Sequence, residues 1–163
     1  MIFWLLLFTQ FPSGSDTAWM EPAAFHLALG DAREEIENAF EARGWKLIEA
    51  EDDDEVLVHD YANGKSLTME FRQDRLVSAR FELVSFGAQL SRNWEDVTAR
   101  LRERHGNPLV EESSIFITEA DEMSVHAVLD DRPDSALGKQ GAGRIIVRYF
   151  VPGDVFGSFE TRR

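Results

Sequence analysis

Two stretches of the chain repeat apolar residues at helical spacing, and the segments after each alternate apolar with polar residues. In the first stretch Ala32, Ile36, Ala39 and Phe40 make one stripe, and Gly44 follows Arg43 as a left-handed stop. Asp31 with Glu34 three residues on predicts a capping box at the helix start. In the second, Trp94, Val97, Thr98 and Leu101 share a face that ends at Gly106-Asn107-Pro108. Asn93 is the predicted N-cap there, with Ser91 as the alternative.

Between and after these helices the period falls to two. Glu55 to Asp60, Leu67 to Phe71 and Val77 to Leu83 predict strands, with tight turns at Asn63-Gly64 and Gln73-Asp74. A strand around Trp45 to Ile48 precedes them, and strands at Ser114 to Thr118, Met123 to Leu129 and Arg144 to Val151 follow the second helix. The same order of capped helix, glycine and strands thus occurs twice. It predicts an α+β domain of two similar helix-plus-antiparallel-strand units, residues 25–84 and 91–151, forming one largely antiparallel sheet with its helices on one face. The whole domain is placed at residues 19–163.

Residues 1–18 stand apart. Ile2 to Phe8 is an unbroken apolar run, too short to span a bilayer, followed by Pro12 and the small residues Ser13-Gly14-Ser15. It reads as a secretory signal, which places the protein in the periplasm or outside the cell, or as a buried first strand, which leaves it in the cytoplasm.

Composition narrows the chemistry. The 163 residues are 44% hydrophobic, enough for one domain with a core, and a net charge of −13 opposes sequence-independent nucleic-acid binding. The same charge favours basic protein partners or cations. With no cysteine there is no disulfide framework, thiolate metal site, cysteine nucleophile or lipid-modified cysteine.

Leu29-Gly30-Asp31-Ala32-x-x-Glu35-Ile36, the helix to Gly44, and Leu67-Thr-Met-Glu-Phe-x-x-Asp-x-Leu-Val77 together resemble the small α/β module of bacterial outer-membrane assembly lipoproteins of the SmpA/OmlA (BamE) type. Two modules in tandem look like the β-lactamase-inhibitor-protein architecture. The resemblance covers about residues 25–150 and implies a non-catalytic role in binding another protein of the bacterial envelope. The lipid-attachment cysteine of the lipoproteins is absent here.

Residues suited to catalysis or metal binding occur in scattered positions. Glu49, Glu51, Asp52, Asp53, Asp54 and Glu55 concentrate charge, and Glu51 to Asp54 are the candidate cation ligands, but they lack the alternate spacing and the glycine of a calcium loop. His26, His59, His105 and His126 form no paired metal motif and read as structural or surface histidines, although His59 and His126 lie on strands of the two repeats and could approach across the sheet. Gly138-Lys-Gln-Gly-Ala-Gly143 lacks the Ser/Thr and the following helix of a phosphate-binding loop, and reads as a hairpin loop whose Lys139 and Arg144 face a partner. No cofactor or catalytic set is predicted.

The leading expectation is therefore a non-catalytic protein-binding module. Its binding surface is the polar sheet face, where Thr68, Glu70, Arg72, Ser78, Arg80 and Glu82 project, extended by His126, Arg148 and the 130–143 loop. The alternative is a small-ligand-binding protein or hydrolytic enzyme whose pocket the sequence does not reveal.

Overall fold

The computed structural model describes residues 17–49, 54–60, 63–120, 122–131 and 142–152. The apolar run near the N-terminus, the candidate ligands Glu51, Asp52 and Asp53, and Lys139 lie outside the described residues.

Among the described residues eight strands form one sheet: β1 (Ile48–Glu49), β2 (Glu55–Asp60), β3 (Lys65–Arg72), β4 (Arg75–Phe86), β5 (Val110–Glu112), β6 (Ile115–Glu119), β7 (Ser124–Asp130) and β8 (Ala142–Phe150). Their order is β1-β2-β3-β4-β8-β7-β6-β5, and every neighbouring pair is antiparallel. Helix α1 spans Arg33–Ala42 and helix α2 spans Gly87–His105.

This corrects the expected fold class. The molecule is dominated by one antiparallel sheet with two helices, and it is not a pair of helix-plus-strand units. β4 is twelve residues long, with Arg75–Leu83 paired to β3 on one side and Ser78–Phe86 to β8 on the other, so one hydrogen-bonded sheet runs through the middle. Helix α2, expected to serve only the second unit, lies against both β4 and β8. The similar apolar stripes of the two helices express the common need to cover a sheet.

The starts of both helices also differ from expectation. Asp31 does not cap α1: its Oδ2 accepts from the Ala28 amide at 2.7 Å, and the N-cap is Ala32 with no side-chain bond. The backbone here is claimed by the sheet. Gly30 N donates to Leu76 O, Leu76 N to Asp31 O, and Arg33 N to Asp74 O, which ties the helix entrance to the β3–β4 turn. In that turn Gln73 and Asp74 both have positive φ, 50° and 56°, the geometry that matches a two-residue hairpin to the twist of its strands. The positive φ of Gly44 ends the turn after α1, as expected.

Helix α2 begins six residues before Asn93, directly from the end of β4, with Gly87 at φ 52° making the corner. Asn93 is instead buried on the inner side, donating from Nδ2 to Ser85 Oγ at 2.8 Å and accepting from Gln89 Nε2 at 2.7 Å. Leu90, Trp94, Val97 and Leu101 complete the buried face. Near the helix start the backbone approach is close: a Cβ on Gly143 would fall 2.4 Å from Leu90 Cδ2 and 3.0 Å from Asp130 O. Gly143 therefore belongs to β8 and admits the helix, rather than ending a glycine-rich loop.

The core lies between this sheet face and the helices, with Phe81, Val147, Leu67 and Phe116 fully enclosed. The lead-in, with a 3-10 turn at Pro22–Phe25, buries Trp19, Met20, Phe25 and Leu27 there. Phe40 of α1 joins it by stacking on Phe25 at 6.0 Å and meeting Trp45 edge-on at 4.7 Å.

Candidate binding face

The opposite sheet face is built by register. Val110 on β5 lies opposite Ile117, then His126, Arg148, Arg80, Thr68, Leu57 and Ile48, one row crossing all eight strands. A flanking row runs Glu112, Ile115, Val128, Ile146, Glu82, Ser66 and His59; the other runs Glu119, Ser124, Phe150, Ser78, Glu70 and Glu55. Seven of the eight predicted binding residues lie in these three rows. Arg72, beyond the register shift that follows Glu70, sits exposed at the tip, opposite Arg75 beside the turn.

The polar residues do not all project into solvent. Thr68 and Ser78 are each only 1% exposed. Arg80 reaches Thr68, and Arg148 covers Ser78: its side chain runs over β4, donating from Nε to Ser78 Oγ at 2.9 Å and from Nη2 to Glu70 Oε2 on β3 at 2.7 Å. That reach crosses two strand spacings, about 10 Å, which an extended arginine can cover. The Arg148 and Glu70 side chains keep 13% and 17% of their surface.

Arg80 lies directly opposite Arg148, a pairing of like charges that would destabilise a bare sheet. Each has its own compensation. Arg80 Nη2 is 3.4 Å from Thr68 Oγ1, and Nε lies 3.1 Å from Glu82 Oε1, close enough for an ion pair although the N–H is not aimed for a hydrogen bond. His126 meets the Phe150 ring edge-on at 4.8 Å, and the Arg148 guanidinium lies over the same ring at 5.3 Å. Burial pushes the His126 pKa below the ordinary histidine value and Arg148 adds to this, while Glu119 opposes it.

Beside this polar centre Ile115, Ile117, Val128, Ile146 and Phe150 form a half-buried apolar quarter. Sequence reasoning missed these residues. The available signal was that Ile115-Phe-Ile and Ile145-Ile-Val are consecutive apolar runs, which mark strands apolar on both faces rather than alternating ones.

The remaining candidates are dispersed. His59 and His126 do not approach each other, since β3, β4 and β8 separate their strands, a distance of about 19 Å at ordinary strand spacing. Arg144 lies in β8 with Nη2 3.6 Å from Asp130 Oδ2. Asp54, the described member of the acidic candidates, is exposed and accepts from the Phe71 amide through its carbonyl. Among the described residues no three His, Asp or Glu side chains gather to hold a metal, and no helix is long and apolar enough to cross a membrane.

A second cluster of perturbed groups closes the far end of α2. Glu21 is buried, and desolvation raises its carboxyl pKa even though Arg104 Nη2 pairs with it at 2.7 Å. The exposed arginine regains less for the charge than burial removes. Desolvation also lowers the His105 pKa, with Arg104 adding to it. Tyr149 is pushed far above the ordinary tyrosine value, first by burial, and its hydroxyl lies 3.4 Å from Met20 O as donor.

No protein-family model, curated protein or solved structure matches the chain.

Proposed function

We propose that the protein is a non-catalytic protein-binding module of the bacterial envelope, secreted or periplasmic, that engages its partner through the sheet face opposite the helices. The observation that carries this reading is the cross-sheet row from Val110 to Ile48, with ordered arginines at its centre and partly buried apolar residues beside them. Eight strands averaging about seven residues give a face of about 34 Å by 24 Å, on the order of 800 Å², the area each partner commits in a standard interface. Arg148 and Arg80 are already held by neighbours, so docking would immobilise little further side-chain freedom. Arginine and aromatic groups beside apolar ones is the composition that protein interfaces favour.

A catalytic reading would have to use Glu21, His105 and Tyr149, where shifted ionisation converges. There Arg104 covers the Glu21 carboxylate and the Tyr149 hydroxyl is turned to a backbone carbonyl inside the core, so neither is presented to a substrate.

The test compares wild type with Arg80→Glu and Ile117→Glu as bait in envelope extracts, with folding checked by circular dichroism. Proteins retained by wild type and lost by both folded variants support the face. Equal recovery of every protein by all three removes it. Fractionation of cells expressing the tagged full chain tests the compartment, and recovery solely in cytosol refutes an envelope location.

A further inference from the structure

We propose that the edge of the described sheet at β5 is a second docking site, which takes an extended partner segment bearing a basic residue and, two positions later, an aliphatic one as an added antiparallel strand. This goes beyond the face described above, because main-chain groups make the contact and Arg80 has no part in it.

Among the described strands β5 is the last in the order: it pairs with β6 on one side, and no described strand pairs with its other side. In an antiparallel ladder alternate residues turn their N–H and C=O groups away from the existing neighbour, so an edge strand offers a ready template. All three residues of β5 are exposed. At its head stand Leu109 and Val110, 68% and 39% exposed, side chains that an unoccupied polar edge has no need to carry.

Register specifies the occupant. Val110 and Glu112 point to the same side as Ile117 and Ile115, whereas Glu111 points to the helix side, where it pairs with Arg102 of α2. A residue opposite Val110 therefore packs best if apolar, and one opposite Glu112 if it is Lys or Arg. In the antiparallel sense this is a basic residue followed two positions later by an aliphatic one. The charge of −13 draws a cationic segment toward the protein over longer range. It equally disfavours a second copy, since self-pairing of β5 would set its carboxylates against each other.

The probe is a short fluorescent peptide in which Lys and Val take turns at every second position with Thr between them (Lys-Thr-Val-Thr, repeated), titrated by anisotropy against the full chain at physiological salt. Binding is expected, weakened at least about tenfold when alternate peptide nitrogens are methylated, since two or more main-chain hydrogen bonds are lost. Val110→Pro is expected to weaken it similarly, as is Glu112→Lys, an exposed change that leaves folding intact, while Arg80→Glu leaves it within about twofold. Absence of binding by the parent peptide overturns the proposal. So does equal binding of the methylated peptide, which would reduce the interaction to charge attraction, or wild-type affinity in folded Glu112→Lys. Because Arg80→Glu tests only the face, failure of either site is read separately.

Discussion

The ion pair between Arg148 and Glu70 ties β8 to β3 across the outer face, and replacing Arg148 by Met tests its worth. The substitution keeps most of the aliphatic stem and removes the charge. It leaves Glu70, 17% exposed, without its 2.7 Å donor and Ser78 Oγ without its 2.9 Å donor. Removing one partner of a buried pair costs about 3–5 kcal/mol, and the remaining exposure of both groups places this pair at the lower end, about 3 kcal/mol. Glu70→Leu strands the arginine instead and is expected to cost a similar amount. The double variant leaves no unpaired charge, and its loss is expected to be about 1 kcal/mol, giving a coupling of several kcal/mol between the two sites. Urea unfolding followed by tryptophan fluorescence measures all four proteins. Single-variant losses below about 1 kcal/mol, or a double variant equal to the sum of the singles, would refute the claim that the pair orders this face.

Other consequences follow from the core side. Asn93→Ala leaves buried Ser85 Oγ without its partner and is expected to lower stability by about 1–3 kcal/mol, whereas at an exposed helix cap the change would instead abolish helix initiation at that point; urea unfolding with helix content by circular dichroism distinguishes these. Gly143→Ala drives a Cβ against Leu90 and the Asp130 carbonyl and should cost about 1–3 kcal/mol, partly recovered by Leu90→Ala in the same urea assay. The raised Tyr149 pKa means that the folded state holds a proton the unfolded state releases; stability is full below the ordinary tyrosine range and falls as pH rises through and beyond it, which melting temperature against pH will show. The raised Glu21 pKa acts likewise at lower pH: its contribution is complete below the unfolded glutamate value and is lost as pH rises through the folded one, so Glu21→Gln should flatten that limb and melt higher at neutral pH. A lower melting temperature for Glu21→Gln at neutral pH would refute it.

Local chemistry decided much of what the sequence specified. The β2 bounds, the Gln73-Asp74 turn and the stop at Gly44 depend on neighbours along the chain: alternation, φ preference and chain reversal act within a few residues, so they were legible. So were Ile36, Phe40, Trp94, Val97 and Leu101 as inward anchors, because helical periodicity alone assigns them one face. Asp31 and Asn93 were misread for the opposite reason. Each is a good cap in isolation, but tertiary structure supplied competing partners, the Ala28 amide for one and Ser85 for the other.

The candidate face shows the same division. Alternation alone placed Thr68, Glu70, Ser78, Arg80, Glu82, His126 and Arg148 together on one side of their strands. Only the joining of β4 to β8 laid Arg148 over Ser78 and onto Glu70, burying residues that strand-level reasoning left in solvent. The unity of the sheet belongs to that same step. Side-chain period is a property of each strand, whereas the choice of which strands become neighbours depends on long-range hydrogen bonding and on where α2 can settle, and no local pattern contains it.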